Sequence, residues 1–325
     1  APDLSKAEIY MGGLYRNAGY PEEFVKTLDE RIGFWPGTPD RAAFGAGSTR
    51  SEVFLEQAER IAGFLTQAQL LALARNDWDL LLMYQPQVDE VSHEFWLTDP
   101  RQSGYAPDRA ARFAEIVDRG YALADRSLDA IEKGLAPGDS IFVTSDHGMT
   151  AIWREIFPNE ILRQAGVVVV NAEKRIDPSS AAVAITSGGI AHIYLKGSSE
   201  SGLLEKIERL FRDFRVREES PWERIVRRED AGSLGLNAPE SGDLILLAKP
   251  GYVLARGARE GETLGTPDDL GAHGYLNIHP QLHATFLAAG PGISRARVPQ
   301  INSWEIAARV AKTIEMEPPR DAARP

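Results

Sequence analysis

Apolar positions along the chain follow two different periods. From Ser51 to Ala74 they recur at helical spacing, and Thr49 with Glu52 forms a candidate capping box at the start. Pro107 to Lys133 repeats the helical signature. It places Phe113, Ile116, Val117, Tyr121, Ala124, Leu128 and Ile131 on one face, with Gly134 at its end. Two other segments, Trp78 to Tyr84 (WDLLLMY) and Ser140 to Ser145 (SIFVTS), are continuous apolar runs of strand length. Uninterrupted strands alternating with helices predict an α/β fold with a mainly parallel sheet covered on both faces.

The middle of the chain reads differently. Val167 to Val170, Ala181 to Thr186, Ile190 to Leu195 and Asp243 to Ala248 are short strand candidates, and Leu203 to Phe214 is a helix. Arg256 to Ala272, rich in glycine and charge, reads as a mobile loop. His283 to Ala289 returns to core-strand character. Trp304 to Ile314 closes the chain as a helix with Asn302 or Ser303 as N-cap. The expected organisation is a core built from residues 1–150 and 270–325, with residues 151–269 as a small α+β insertion or cap.

Composition narrows the chemistry. The 325 residues carry a formal charge of −11, which argues against a basic nucleic-acid surface. No apolar run approaches the roughly 20 residues that span a bilayer, and the first residues show no signal-peptide pattern. The compartment stays open, since a cytoplasmic protein and an exported mature form fit equally. Cysteine is absent, so a metal would have to be held by carboxylates and by the six histidines.

Three segments put such residues where strands end, the usual place for sites in open α/β sheets. Asp89-Glu90-Val91-Ser92-His93 follows the first apolar run. A spacing of four sets Asp89 and His93 on one side of a helical turn, a donor pair suited to zinc or a similar divalent ion. Leu97 stands where a HExxH motif would need its second histidine. Thr144-Ser145-Asp146-His147-Gly148-Met149 delivers an Asp-His pair from a buried strand into a glycine turn, and two ionisable groups there call for a partner. Ala272-His273-Gly274-Tyr275 places a histidine on a polar loop before a core strand. Taken singly, ordinary helix, turn-capping and surface-loop roles compete with metal binding at these positions. Asn277 and His283 are candidates for orienting the loop and supporting the site from behind.

Together the segments resemble the alkaline phosphatase superfamily, and within it the type I phosphodiesterase/nucleotide pyrophosphatase branch. The Asp-x-x-x-His, Ser-Asp-His-Gly-Met and His-Gly-Tyr elements appear in the family order, and Phe34-Trp35-Pro36-Gly37 is similar to its Trp-Pro-Gly stretch. The resemblance implies a three-layer α/β/α core and hydrolysis of phosphodiester or pyrophosphate bonds in nucleotide-like esters. It also implies two divalent ions, with zinc the expected metal. Asp89, His93 and His273 would hold one ion, and Asp146 and His147 the second. The family's Thr or Ser nucleophile and one further Asp should precede Trp35-Pro36-Gly37. Neither is found in the segment from Ala1 to Gly33. The chain therefore reads as a portion lacking the nucleophile-bearing start, expected to be weakly active and to dimerise or associate with that segment. Thr49 and Ser51 stand at a helix start that could hold a phosphate, but N-capping explains them and their order is wrong. The competing functions are a phosphomonoesterase, a phosphonate hydrolase, a phosphoglycerate-mutase-like enzyme, or a degenerate metal- or nucleotide-binding protein without turnover.

Overall fold

The computed structural model describes residues 11–197, 202–320 and 322. In chain order the helices are α1 (Glu22–Arg31), α2 (Arg41–Gly45), α3 (Ser51–Leu73), α4 (Gln87–Phe95), α5 (Pro107–Gly134), α6 (Pro158–Gln164), α7 (Leu203–Asp213) and α8 (Ser303–Thr313). The strands are β1 (Ile141–Thr144), β2 (Thr150–Ala151), β3 (Arg154–Ile156), β4 (Ala182–Ser187), β5 (Ile190–Leu195) and β6 (Trp222–Arg227). They continue with β7 (Leu244–Ala248), β8 (Tyr252–Leu254), β9 (Leu264–Gly265), β10 (Gly271–Ala272) and β11 (Phe286–Ala289). The fold class is α/β. The chain divides into two compact units, one from residues 1–91, 118–146 and 284–325, the other from residues 92–117 and 147–283.

In the first unit α3 buries Phe54, Ala58, Ile61, Ala62, Phe64 and Leu73, the face its periodicity predicts. The α3–α5 contact includes a hydroxyl pair, with Thr66 Oγ1 donating to Ser127 Oγ at 2.8 Å. On α5 the buried side chains include Leu123, Ser127 and Ile131, whereas Tyr121 is 53% exposed. No side chain caps α3. Its N-cap is Arg50, so the expected Thr49–Glu52 box does not form. At α8 the expected cap does form, the Glu305 carboxylate accepting from the backbone N–H of Asn302 at 3.0 Å. β1 and β11 pair antiparallel, Ile141 opposite Ala289 and Thr144 opposite Phe286.

Trp78–Tyr84 corrects the expectation of a strand in a mainly parallel sheet. The segment lies in no sheet among the described residues. Its polar anchors come from side chains, Trp78 Nε1 donating to Leu73 O and Gln69 Nε2 to Tyr84 O. Leu80, Leu82 and Tyr84 are exposed. An apolar run reports a tendency to be buried; a ladder also needs a neighbouring backbone in register, which composition does not supply.

The second unit is organised around an antiparallel sheet in the order β4-β5-β7-β6. β7 is buried along its whole length. Its alternate residues enter two cores: Leu244, Leu246 and Ala248 pack with Phe211, Ile207 and Ile193, while Ile245 and Leu247 pack with Ala231 and Leu276. Both faces being covered, β7 shows the continuous apolar pattern elsewhere typical of parallel strands. Among the described pairings only β3 with β8 is parallel. Val167–Val170 forms no strand, only a bridge from Val170 to Ile176. Asn159 of α6 replaces a ladder partner, its amide bonding both Ala184 O and Ala184 N at 2.8 Å.

Glu160 is fully buried and accepts from Arg163 Nε at 2.7 Å, Arg163 Nη2 at 2.8 Å and the Gly261 N–H at 3.0 Å. The Arg163 guanidinium holds its carboxyl below the usual range, against the opposing effect of burial. A depressed folded pKa stabilises the protein above the ordinary carboxylate pKa, and this stability is lost as pH falls through the folded value. Glu160→Gln should therefore cost about 2 kcal/mol at pH 7 and much less in acid, read from urea unfolding at both pH values. An equal loss at both would overturn this account.

Candidate metal centre

In the second unit the short β2–β10 pairing sets Ala272 opposite Thr150 and Gly271 opposite Ala151. The Gly148 N–H donates to Leu282 O at 3.0 Å and the Met149 N–H to Gln281 O at 3.1 Å. His147 and His273 stand just beyond this pairing. Their rings stack with centroids 3.6 Å apart and an interplanar angle of 10°. His93 approaches His273 edge-on, at 5.2 Å and 63°.

His93 lies in the last turn of α4, whose first turn carries Asp89 and Glu90. Acid at the start suits the helix dipole. The Leu270 N–H donates to His93 O at 2.8 Å, and His93 Nδ1 donates to Gly271 O at 2.9 Å. Asp269 Oδ2 lies 3.5 Å from the same nitrogen. His147 Nδ1 is 2.9 Å from Gly148 O. A proton on Nδ1 puts the lone pair on Nε2, the tautomer that a metal-binding imidazole needs. The ligand nitrogens of His147 and His273 come within 4.8 Å of one another. Imidazole nitrogens such as those of His147 and His273 are donors of the kind that a divalent ion takes.

The backbone makes this approach feasible at Gly271. A Cβ there would meet Ser92 O at 2.6 Å and both Met149 Sδ and Trp96 Cβ at 2.9 Å. The buried amide of Gln102 fixes the turn after α4. Its oxygen accepts from the Thr98 and Asp99 N–H groups, and its nitrogen donates to Trp96 O and Leu270 O at 2.9 and 2.7 Å. All four of its hydrogen-bonding positions are used.

The carboxylates named from the sequence belong to the first unit. Asp89 sits on α4 one turn before His93, and Asp146 is exposed and joined by a peptide bond to His147. Both act on Tyr84: although its side chain is largely exposed, partial loss of solvent around the phenol raises its pKa most, and the charges of Asp89, Asp146 and Glu90 raise it further. Asn277 and His283 are exposed, His283 Nε2 lying 3.0 Å from Asn277 O. Thr49 is buried at 8% exposure, which does not suit an attacking hydroxyl.

Sequence reasoning missed Asp269, Gln102 and Tyr84. Asp269 fell inside the loop read for mobility. Its signal was an acid four residues before His273. Tyr84 ends the apolar run that reads as a strand, and nothing in the sequence marks Gln102. A cleft of about 670 Å³ opens beside Met149 and Thr150, lined by Trp96, Arg101, Trp153, Lys249 and Tyr252 among others. The Arg101 guanidinium covers the Trp153 ring at 3.5 Å. No helix among the described residues is long and apolar enough to cross a membrane.

The sequence matches the family described as type I phosphodiesterase / nucleotide pyrophosphatase over residues 13–276. No curated protein matches. Among solved structures, human ectonucleotide pyrophosphatase / phosphodiesterase 5 is similar, with 16% identity and a TM-score of 0.51. The match covers 91% of this chain and 71% of that one. This likeness shows a shared fold. Phosphonoacetate hydrolase from Sinorhizobium meliloti 1021 also matches, at 20% identity and a TM-score of 0.45, covering 91% of this chain and 63% of that one.

The phenol of Tyr84 reports on the two aspartates. A tyrosine difference titration of the chain against its Tyr84→Phe variant should place this phenol above its ordinary value of 10.0. Asp146→Asn should move it down, because one repelling charge is removed. A midpoint unmoved by that substitution would show that Asp146 does not act on Tyr84.

Proposed function

Because the chain belongs to the type I phosphodiesterase/nucleotide pyrophosphatase family, a family of phosphoric ester hydrolases, we propose that it hydrolyses phosphodiester or pyrophosphate bonds of nucleotide-like esters at a site for two zinc ions. The observation that carries the metal reading is the convergence of His93, His147 and His273, one from each motif segment, at ring separations of 3.6 and 5.2 Å. Asp89 shares a helix with His93, and Asp146 is the peptide neighbour of His147, so each carboxylate is tied covalently to one of the imidazoles. In this reading Asp89, His93 and His273 hold one ion, and Asp146 and His147 supply two ligands to the other.

Bound ions would supply Lewis acidity and positive charge at the phosphoryl oxygens. The chain's own residues do the positioning. Gly271 O and Asp269 face His93 Nδ1 and fix the ring's tautomer and direction. Gln102 holds the turn that follows His93. The cleft beside Met149 offers the planar faces of Trp96 and Tyr252, with the cations of Arg101 and Lys249, to the organic part of the ester. Residues 151–269 would act as the cap that selects this part.

Metal analysis of the purified chain should find closer to one than two tightly held ions, since only one set has three of these protein ligands. Asp89→Asn and His93→Ala should each weaken zinc binding about tenfold or more. Hydrolysis of bis(4-nitrophenyl) phosphate should be slow, suppressed by a chelator and restored by zinc. Chelator-resistant hydrolysis would overturn the proposal.

A further inference from the structure

The turn between β4 and β5 belongs to the sheet of the second unit, yet it reaches the loop that carries His273. The Gly189 N–H donates to His273 O at 3.0 Å. Gly188 adopts φ +58, and a Cβ there would collide with the His273 carbonyl. A Cβ on Gly274 would meet Ser187 O at 2.7 Å, and the Tyr275 ring lies against Gly189. The turn is itself fixed in the sheet. Gly188 O accepts from the Leu254 N–H at 2.9 Å, and Gly189 O accepts from the Ala248 N–H at 2.8 Å. Beyond the turn, the Tyr275 hydroxyl donates to Tyr252 O at 2.8 Å.

We infer that the Ser187–Gly189 turn is a positioning element for His273, so that the sheet of β4, β5, β7 and β6 sets the direction of a metal-binding side chain. This inference rests on the reading of His273 as a metal ligand. The carbonyls of Gly188 and Gly189 are held by β8 and β7, which leaves the turn little freedom. The His273 carbonyl, held by the Gly189 N–H, takes its position from that turn. A ligand on a loop keeps its direction only if something rigid holds the loop. Here the rigid body is a sheet whose central strand is buried from end to end.

Co(II) binding tests this, since visible absorption reports both affinity and coordination geometry without any need for turnover. Gly188→Ala should weaken Co(II) binding by about tenfold or more and change the absorption envelope, with far-UV circular dichroism unchanged. Gly197→Ala is the matched control. Gly197 lies just beyond β5 with φ +75, so the strain is similar, but a Cβ there meets nothing within 4 Å. It should bind Co(II) as the unmodified chain does. If Gly188→Ala fails to fold, Tyr275→Phe decides, and its Co(II) affinity should fall in the same direction. His273→Ala separates the two claims. If it binds Co(II) normally, His273 is not a ligand, and the metal reading falls together with this inference. If His273→Ala loses the metal while Gly188→Ala or Tyr275→Phe keeps it, the inference alone is overturned. Equal weakening by Gly197→Ala and Gly188→Ala would also overturn it, because general loosening of the sheet would then explain the effect.

Discussion

Four backbone residues set the histidine cluster. Thr150–Ala151 and Gly271–Ala272 pair antiparallel; His273 follows Ala272 directly, and His147 stands three residues before Thr150. In this register the two rings lie face to face. Joining segments this far apart costs loop-closure entropy, although that cost grows slowly with length. A two-residue ladder does not offset it alone. The neighbouring bonds share the work: Gly148 and Met149 to Leu282 and Gln281 on one side, Leu270 to His93 and to Gln102 on the other. The absence of a side chain at Gly271 permits the whole arrangement, because Ser92 O, Met149 and Trp96 occupy the space a Cβ would need.

The rigidity behind the pairing comes from apolar burial in the second unit. β7 sends Leu244, Leu246 and Ala248 into one core and Ile245 and Leu247 into the other. Burying a side chain of this size contributes roughly 1.5–3 kcal/mol, so the strand is among the most strongly held parts of that unit. Two buried polar side chains of the same unit are well satisfied. Asn159 bonds both backbone groups of Ala184, and Glu160 is met by Arg163, Gln164 and Gly261. Buried polar atoms left without partners would loosen such a core.

The two kinds of donor lie close together along the chain. The second unit gathers the imidazoles and the first carries the two aspartates together with Tyr84. Imidazole nitrogens and carboxylate oxygens are the mixed donor set that zinc accepts. Helix α4 and the Asp146–His147 peptide bond carry the chain from one donor type to the other within a few residues. That adjacency is why short motifs can carry both donor types.

The sequence by itself determined the class of fold, the long helices and the residues with metal-binding chemistry. Helices α3 and α5 were legible because their hydrogen bonds are local and only their apolar face has to match a partner. The three motif segments were legible because ionisable residues at strand ends are costly without a partner. Tertiary structure alone decided which runs became paired strands. LILLA at β7 found neighbours on both edges, antiparallel ones, whereas WDLLLMY, apolar but for Asp79, lies in no sheet among the described residues. It alone also decided that Asp269, Gln102 and the Gly188–Gly189 turn lie against the histidine segments. Their hydrogen bonds run to residues distant in the chain, and no local period or spacing encodes such a partner.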